Sequence, residues 1–210
     1  MTFNSSGFFI VFEGIDGSGK TNHAKNLVHS LNDLGFKAVY TTEPTEWSSF
    51  GKKIRESFTY SERLSAEEEF LLFLEDRKLH IKEEVEPLLQ EGRIVVSDRY
   101  FYSSVAYQGS RDELDWKHIL DENRKHVPDP HLVILLNVSV EEALNRINKE
   151  REGGANSFEK KESLLAVFNL FQKLLQLFPE TIVSIDSAQP MGTVKQQILN
   201  LVLRRLKQGV

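Results

Sequence analysis

The sequence predicts an α/β fold, a doubly wound, five-stranded parallel sheet flanked by helices, and three observations predict it. Apolar runs of strand length alternate with longer segments of helical period, the order that a parallel sheet with crossover helices requires. The first such run, Phe8 to Glu13, passes directly into a glycine-rich turn and then into a helix. The later runs Ile94 to Val96 and Leu132 to Val138 are apolar without alternation, the pattern of strands buried on both faces. Sheets of this kind hold their ligands at the carboxyl ends of the strands, so polar residues at those ends are the candidates for function.

Lys20 to Leu34 reads as the first helix, with Gly35 placed as a helix C-terminal glycine, and Lys37 to Thr41 reads as the second strand, broken by Glu43-Pro44. Gly51 to Phe58 is a short helix. Ser65-Ala66-Glu67-Glu68 has the form of a capping box opening a long helix to about Gln90, where Gly92 ends it. Its apolar positions Phe70, Leu71, Leu74, Ile81, Val85, Leu88 and Leu89 recur at helical spacing and predict a core face. Ile94 to Val96 delivers Ser97-Asp98-Arg99-Tyr100 to a strand end. Pro128-Asp129-Pro130 marks a turn before Leu132 to Val138, and Ser139-Val140-Glu141-Glu142 caps a helix to about Lys149. The Gly153-Gly154 stretch predicts a mobile segment over about 150–160, followed by a helix from Glu159 to Phe178, a fifth strand from Thr181 to Ile185 and a closing helix from Thr193 to Lys207. A chain of 210 residues without internal repeats fits a single domain over 1–210.

Composition narrows the classes. A net charge of −5 argues against general nucleic-acid or anionic-membrane binding, which works through basic surfaces. The absence of cysteine excludes disulfides and thiolate metal sites, and the six histidines include no pair at metal-ligand spacing. Phe8 to Phe12 is too short to span a bilayer and no signal peptide precedes it, so a cytoplasmic protein is expected.

The turn Gly14-Ile15-Asp16-Gly17-Ser18-Gly19-Lys20-Thr21 carries the strongest chemical signal. Gly14 and Gly19 let the backbone curl with its N–H groups inward, and the following helix adds the positive end of its dipole, so the concavity binds a phosphate chain. Lys20 would reach the outer phosphates and the Thr21 hydroxyl would ligate Mg²⁺, which predicts ATP or GTP as ligand. Asn148-Lys149-Glu150-Arg151 has the outline of a guanine-reading Asn-Lys-x-Asp, but Arg151 stands where the base-binding carboxylate belongs, and a GTPase is rejected on that ground. A kinase for a phosphorylated acceptor needs a second basic set for the acceptor phosphate, and Arg77 and Arg99 are the candidates.

Phe73-Leu74-Glu75-Asp76-Arg77, then Pro87 to Gly92, then the run Ser97-Asp98-Arg99-Tyr100 through Ser104-Val105-Ala106-Tyr107-Gln108-Gly109 resemble the thymidylate (dTMP) kinase family, as does a phosphate loop that begins Glu13-Gly14-Ile15-Asp16. The resemblance implies a P-loop nucleoside-monophosphate-kinase fold that transfers the γ-phosphate of ATP to dTMP with Mg²⁺. It further implies that Phe73 stacks on thymine, that Arg77 contacts the base or the acceptor phosphate, and that Arg99 holds the dTMP phosphate. Asp98 is expected near Mg²⁺ or its waters, Ser104, Tyr107 and Gln108 along the deoxynucleoside pocket, and Asp16 at the sugar 3′-hydroxyl. Glu43 belongs to the family's Glu-Pro loop, Arg146 and Gln189 are expected beside adenine, and a homodimer is implied. The alternatives are another nucleotide or nucleoside kinase of this fold and a catalytically weak nucleotide-binding protein.

Two departures from the family pattern stand out. Thr45-Glu46 replaces the Gly-Gly that usually follows the Glu-Pro pair. The family also places a transfer-stabilising arginine either in the phosphate loop, where this chain has Gly17, or in the lid, where it reads Asn156-Ser157-Phe158-Glu159. Arg151, at the hinge of the flexible stretch, is the expected replacement, with Lys160 and Lys161 across the segment as rivals.

Overall fold

The structure is a computed structural model and describes residues 7–59, 64–111, 114–150 and 157–208. Five parallel strands, β1 (Phe8–Glu13), β2 (Ala38–Thr42), β3 (Ile94–Asp98), β4 (Leu132–Asn137) and β5 (Ile182–Asp186), form one sheet in the order β2-β3-β1-β4-β5. The expected architecture is therefore present, with strand limits shifted by a residue or two from those read in the sequence.

Strand β1 lies at the centre, and every one of its side chains is buried. Alternation along the strand divides the core: Phe9 and Val11 face one cluster while Phe8, Ile10 and Phe12 face the other. The second cluster is closed by Ala24, Leu27 and Leu31 of α1 (Lys20–Asp33) and by Val194, Ile198 and Val202 of α9 (Met191–Gln208). The first is closed by α3 (Ala66–His80), α5 (Phe101–Tyr107), α6 (Trp116–His126) and α8 (Ser157–Leu177). The remaining helices are α2 (Ser49–Ser57), α4 (Glu86–Gln90) and α7 (Val140–Glu150).

The capping box at Ser65 is formed: its side chain accepts from Glu68 N while Glu68 reaches back to Ser65 N at 3.0 Å. The long helix is not uniform, because a π-helical turn, Ile81–Val85, joins α3 to α4 where Pro87, which has no N–H to give, enters the helix. Phe70, Leu74, Ile81, Val85 and Leu89 are core, but Leu71 is exposed. Helices α5 and α6 were not foreseen. All but one of the residues of α5 are buried, so it shows no amphipathic period, and the carboxylate that caps it comes from β1.

Candidate active site

The ends of β1 and β3 are adjacent, Phe12 pairing with Asp98, and this register brings the phosphate loop against the Asp98–Arg99 turn. Gly14, Gly17 and Gly19 all take positive φ, and Lys20 folds back so that its buried ammonium donates to Gly14 O and Ile15 O at 3.0 Å each. Burial and the like charge of Arg99 lower its pKa to about 8, against the pull of Asp16, Asp98 and Glu13. An anionic ligand in the loop would strengthen the protonated form.

Glu13, at the end of β1, is fully buried and holds the start of α5: Oε1 accepts from Tyr100 N at 2.9 Å and Ser103 N at 3.1 Å, and Oε2 from the Ser103 hydroxyl. Burial pushes its carboxyl up to about 7 even though Ser103 and Arg99 hold it down. Arg99, the residue before Tyr100, takes the left-handed backbone conformation with φ 75° and donates its N–H to Phe12 O at 3.0 Å. The Arg99 guanidinium pairs with Asp16, donates to Ser103 Oγ at 3.2 Å and lies over the Tyr107 ring at 5.0 Å. The Tyr107 hydroxyl in turn accepts from Asp16 N at 3.0 Å. Burial alone would raise the Asp16 pKa, but Arg99 and Lys20 outweigh it and bring the carboxyl down to about 2.

The Thr21 hydroxyl donates to Asp98 Oδ2, while Oδ1 of the same buried carboxylate has no partner among the described residues. A hydroxyl beside a carboxylate oxygen left without a donor is the oxygen-only environment that a hard divalent cation takes, so the residues present fit Mg²⁺.

Two cavities open from this centre. One, of about 690 Å³, is lined by the phosphate loop from Asp16 to Thr21, Asp98, Arg99, Arg146 and Gln189. Arg146 donates to Ser187 O at 2.9 Å and Gly17 O at 3.4 Å and thereby joins the loop to the turn after β5. The second, of about 720 Å³, is lined by Glu43, Phe73, Arg77, Ser104, Tyr107 and Gln108 among others. Phe73 is half-buried and forms part of this wall rather than the closed core. Asp16 and Arg99 line both cavities.

Arg77 is almost wholly buried, and its guanidinium donates to Glu43 at 2.8 Å, Asn123 at 2.6 Å and Ser104 at 3.1 Å. Glu43 is shared with His80, whose Nδ1 lies 3.0 Å away. Asp76 explains how Thr45 serves where the family has glycine: its carboxylate accepts from Thr45 N at 2.8 Å, the Thr45 hydroxyl at 2.6 Å and the Ser48 hydroxyl, while Ser48 caps α2 at Gly51 N. At Gly17 the packing explains the missing loop arginine, because a Cβ there would stand 2.4 Å from Ala143 O of α7. Arg151 lies outside the described residues, as does most of the expected lid.

Glu13, Asp76, His80, Ser103 and Asn123 were given no role from the sequence. A charged residue closing an all-apolar strand was a usable signal for Glu13, and Asp76 and His80 share a helix face with Phe73 and Arg77. Nothing local marks Asn123.

A family model described as thymidylate kinase matches residues 12–198. The chain is 39% identical over 196 residues to a thymidylate kinase of Brachyspira hyodysenteriae, covering 93% of both chains. It is 42% identical over 193 residues to a probable thymidylate kinase of Archaeoglobus fulgidus, covering 92% of this chain and 93% of the relative. With a thymidylate kinase of Desulfotalea psychrophila the identity is 37% over 204 residues, covering 97% and 98%. With a phosphate loop and a second cavity meeting at Asp16 and Arg99, and with this likeness extending over nearly its whole length, the chain belongs to the thymidylate kinase family.

Proposed function

We propose that the smaller cavity takes ATP, that the larger takes dTMP, and that the two nucleotides meet with their phosphates at Asp16 and Arg99. The chain is an ATP-dependent nucleoside monophosphate kinase that phosphorylates dTMP to dTDP, a step in dTTP supply. The observation supporting this division is the wall common to both cavities, since in-line transfer between two bound anions needs them face to face with no residue between. In this reading the loop amides and Lys20 hold the transferring phosphate chain, Thr21 and Asp98 hold Mg²⁺, and Arg99 neutralises the acceptor phosphate. When bound, the cation supplies charge neutralisation along the phosphates. Asp16 keeps Arg99 oriented and offers its other oxygen to the sugar 3′-hydroxyl, and Phe73 stacks on the base. Arg146 and Gln189 border adenine; Ser104, Tyr107 and Gln108 line the deoxynucleoside.

A coupled ADP-release assay across dTMP, dUMP, dCMP, AMP, GMP and thymidine tests the reading: dTMP is expected to be turned over fastest, and preference for thymidine or for another monophosphate overturns it. Arg99→Ala is expected to raise the KM for dTMP by at least about ten-fold and leave that for ATP nearly unchanged, with Arg99→Lys also impaired because the planar fork is lost. Equal losses for both substrates would point to a folding role instead.

Three further parts belong to this reading: one kinase domain over 1–210 with a lid at about 150–160, read from the chain's length and the family pattern; a homodimer, which rests on the resemblance; and a cytoplasmic setting, read from the sequence composition. No helix among the described residues is long and apolar enough to cross a membrane. Arg151 supplies the lid charge that Gly17 does not. Arg151→Ala is expected to lower kcat about 10²-fold with ATP binding little changed, as for an interaction made mainly in the transition state. Normal turnover in that variant, with loss in Lys160→Ala or Lys161→Ala, moves the role across the segment.

A further inference from the structure

Gln108 and Glu69 meet in the wall of the larger cavity, and the chemistry of their contact decides which way the Gln108 amide faces. Gln108 Nε2 donates to Glu69 Oε1 at 3.1 Å, and Arg111 Nη1 donates to the other carboxylate oxygen at 3.0 Å. Arg111 is itself held by Leu64 O at 2.9 Å, so the plane of the Glu69 carboxylate is set from behind. A carboxylate oxygen only accepts, and the amide must therefore turn its NH₂ toward Glu69 and its carbonyl away. That carbonyl is shut from solvent and meets no donor among the described residues. A buried acceptor without a donor opposes folding and persists where a ligand supplies the missing hydrogen.

We propose that Glu69 is a positioning residue for nucleotide recognition: it holds the Gln108 amide so that the carbonyl accepts from an N–H or O–H of the bound nucleoside monophosphate. The complementary groups are the imide N–H of a pyrimidine base and a sugar hydroxyl, and a group that presents an acceptor at this point meets acceptor against acceptor. The inference rests on the reading of the larger cavity as the dTMP site.

Glu69→Gln tests it with almost no change of shape. Arg111 continues to bind the remaining carbonyl, the introduced NH₂ faces Gln108, and the Gln108 amide inverts. The expected result is a rise of roughly ten-fold in the KM for dTMP, the worth of one hydrogen bond, with kcat and the KM for ATP close to those of the wild type and a melting temperature lowered by the lost Glu69–Arg111 ion pair. Initial rates are measured for both proteins with dTMP, N3-methyl-dTMP and 3′-deoxy-dTMP. The analogue that lacks the relevant donor loses the difference between wild type and variant, and so identifies the group. A wild type inactive on dTMP sinks the acceptor-site reading. An active wild type with the same dTMP KM in the variant overturns this inference alone, as does an equal loss with all three nucleotides. A joint rise of both KM values marks Glu69 as structural and also overturns it.

Discussion

Lys20→Ala is expected to lower kcat by about 10²- to 10³-fold, or roughly 3–4 kcal/mol of transition-state stabilisation, while the protein stays folded. The ammonium is buried and, among the described residues, donates to the two loop carbonyls and lies 3.9 Å from Asp16, so it is held in position before a ligand arrives. A charge already oriented in a site shielded from water acts on the developing phosphoryl charge without reorganisation. Its removal takes away a charge that stabilises the developing phosphoryl anion, so the effect is expected on the chemical step. Steady-state kinetics beside a thermal melt separates lost turnover from lost fold, and turnover near that of the wild type would remove Lys20 from the mechanism.

Arg77→Ala is expected to act in the opposite way, lowering stability by about 3–5 kcal/mol, because the side chains of Arg77 and Glu43 are each 1% exposed and truncation of one leaves the other as an uncompensated buried charge. Asn123 and Ser104 lose their donor at the same time. For a chain of this length that is a fall of roughly 10 °C in melting temperature. The double variant Arg77→Ala with Glu43→Ala is expected to be less destabilised than the sum of the single changes, since the orphaned carboxylate goes with its partner. Should Arg77→Ala melt with the wild type and show only a raised dTMP KM, the guanidinium serves the nucleotide and the buried network is not what holds it.

These two residues mark where the sequence was legible and where it was not. The Lys20 environment is local: a strand, a glycine turn and a helix are contiguous, and each leaves its own pattern in the sequence. The five strands were readable for the same reason, since an all-buried strand such as β1 or β4 needs no knowledge of its neighbours to be recognised. The Arg77 environment is assembled from positions 34 and 46 residues away, and no spacing along the chain announces that Glu43 and Asn123 converge on it. Helix α5 was missed for a related cause, because it begins on a carboxylate from β1 and has no exposed face to give it a period. Helix α6 did carry a signal, an Asp115 cap with Ile119, Leu120 and Asn123 on one side, that went unread.

The left-handed backbone at Arg99 sets foldability against activity. A residue with a Cβ is strained at φ 75°, and glycine would relieve the strain at the same place in the turn. No side chain but a guanidinium pairs with Asp16, reaches Ser103 and lies over Tyr107 from that position. Under selection for folding alone this site would drift toward glycine, and only selection for turnover keeps arginine there. A library of variants at position 99, sorted first for soluble yield and then for growth that depends on the enzyme, would enrich different residues in the two rounds.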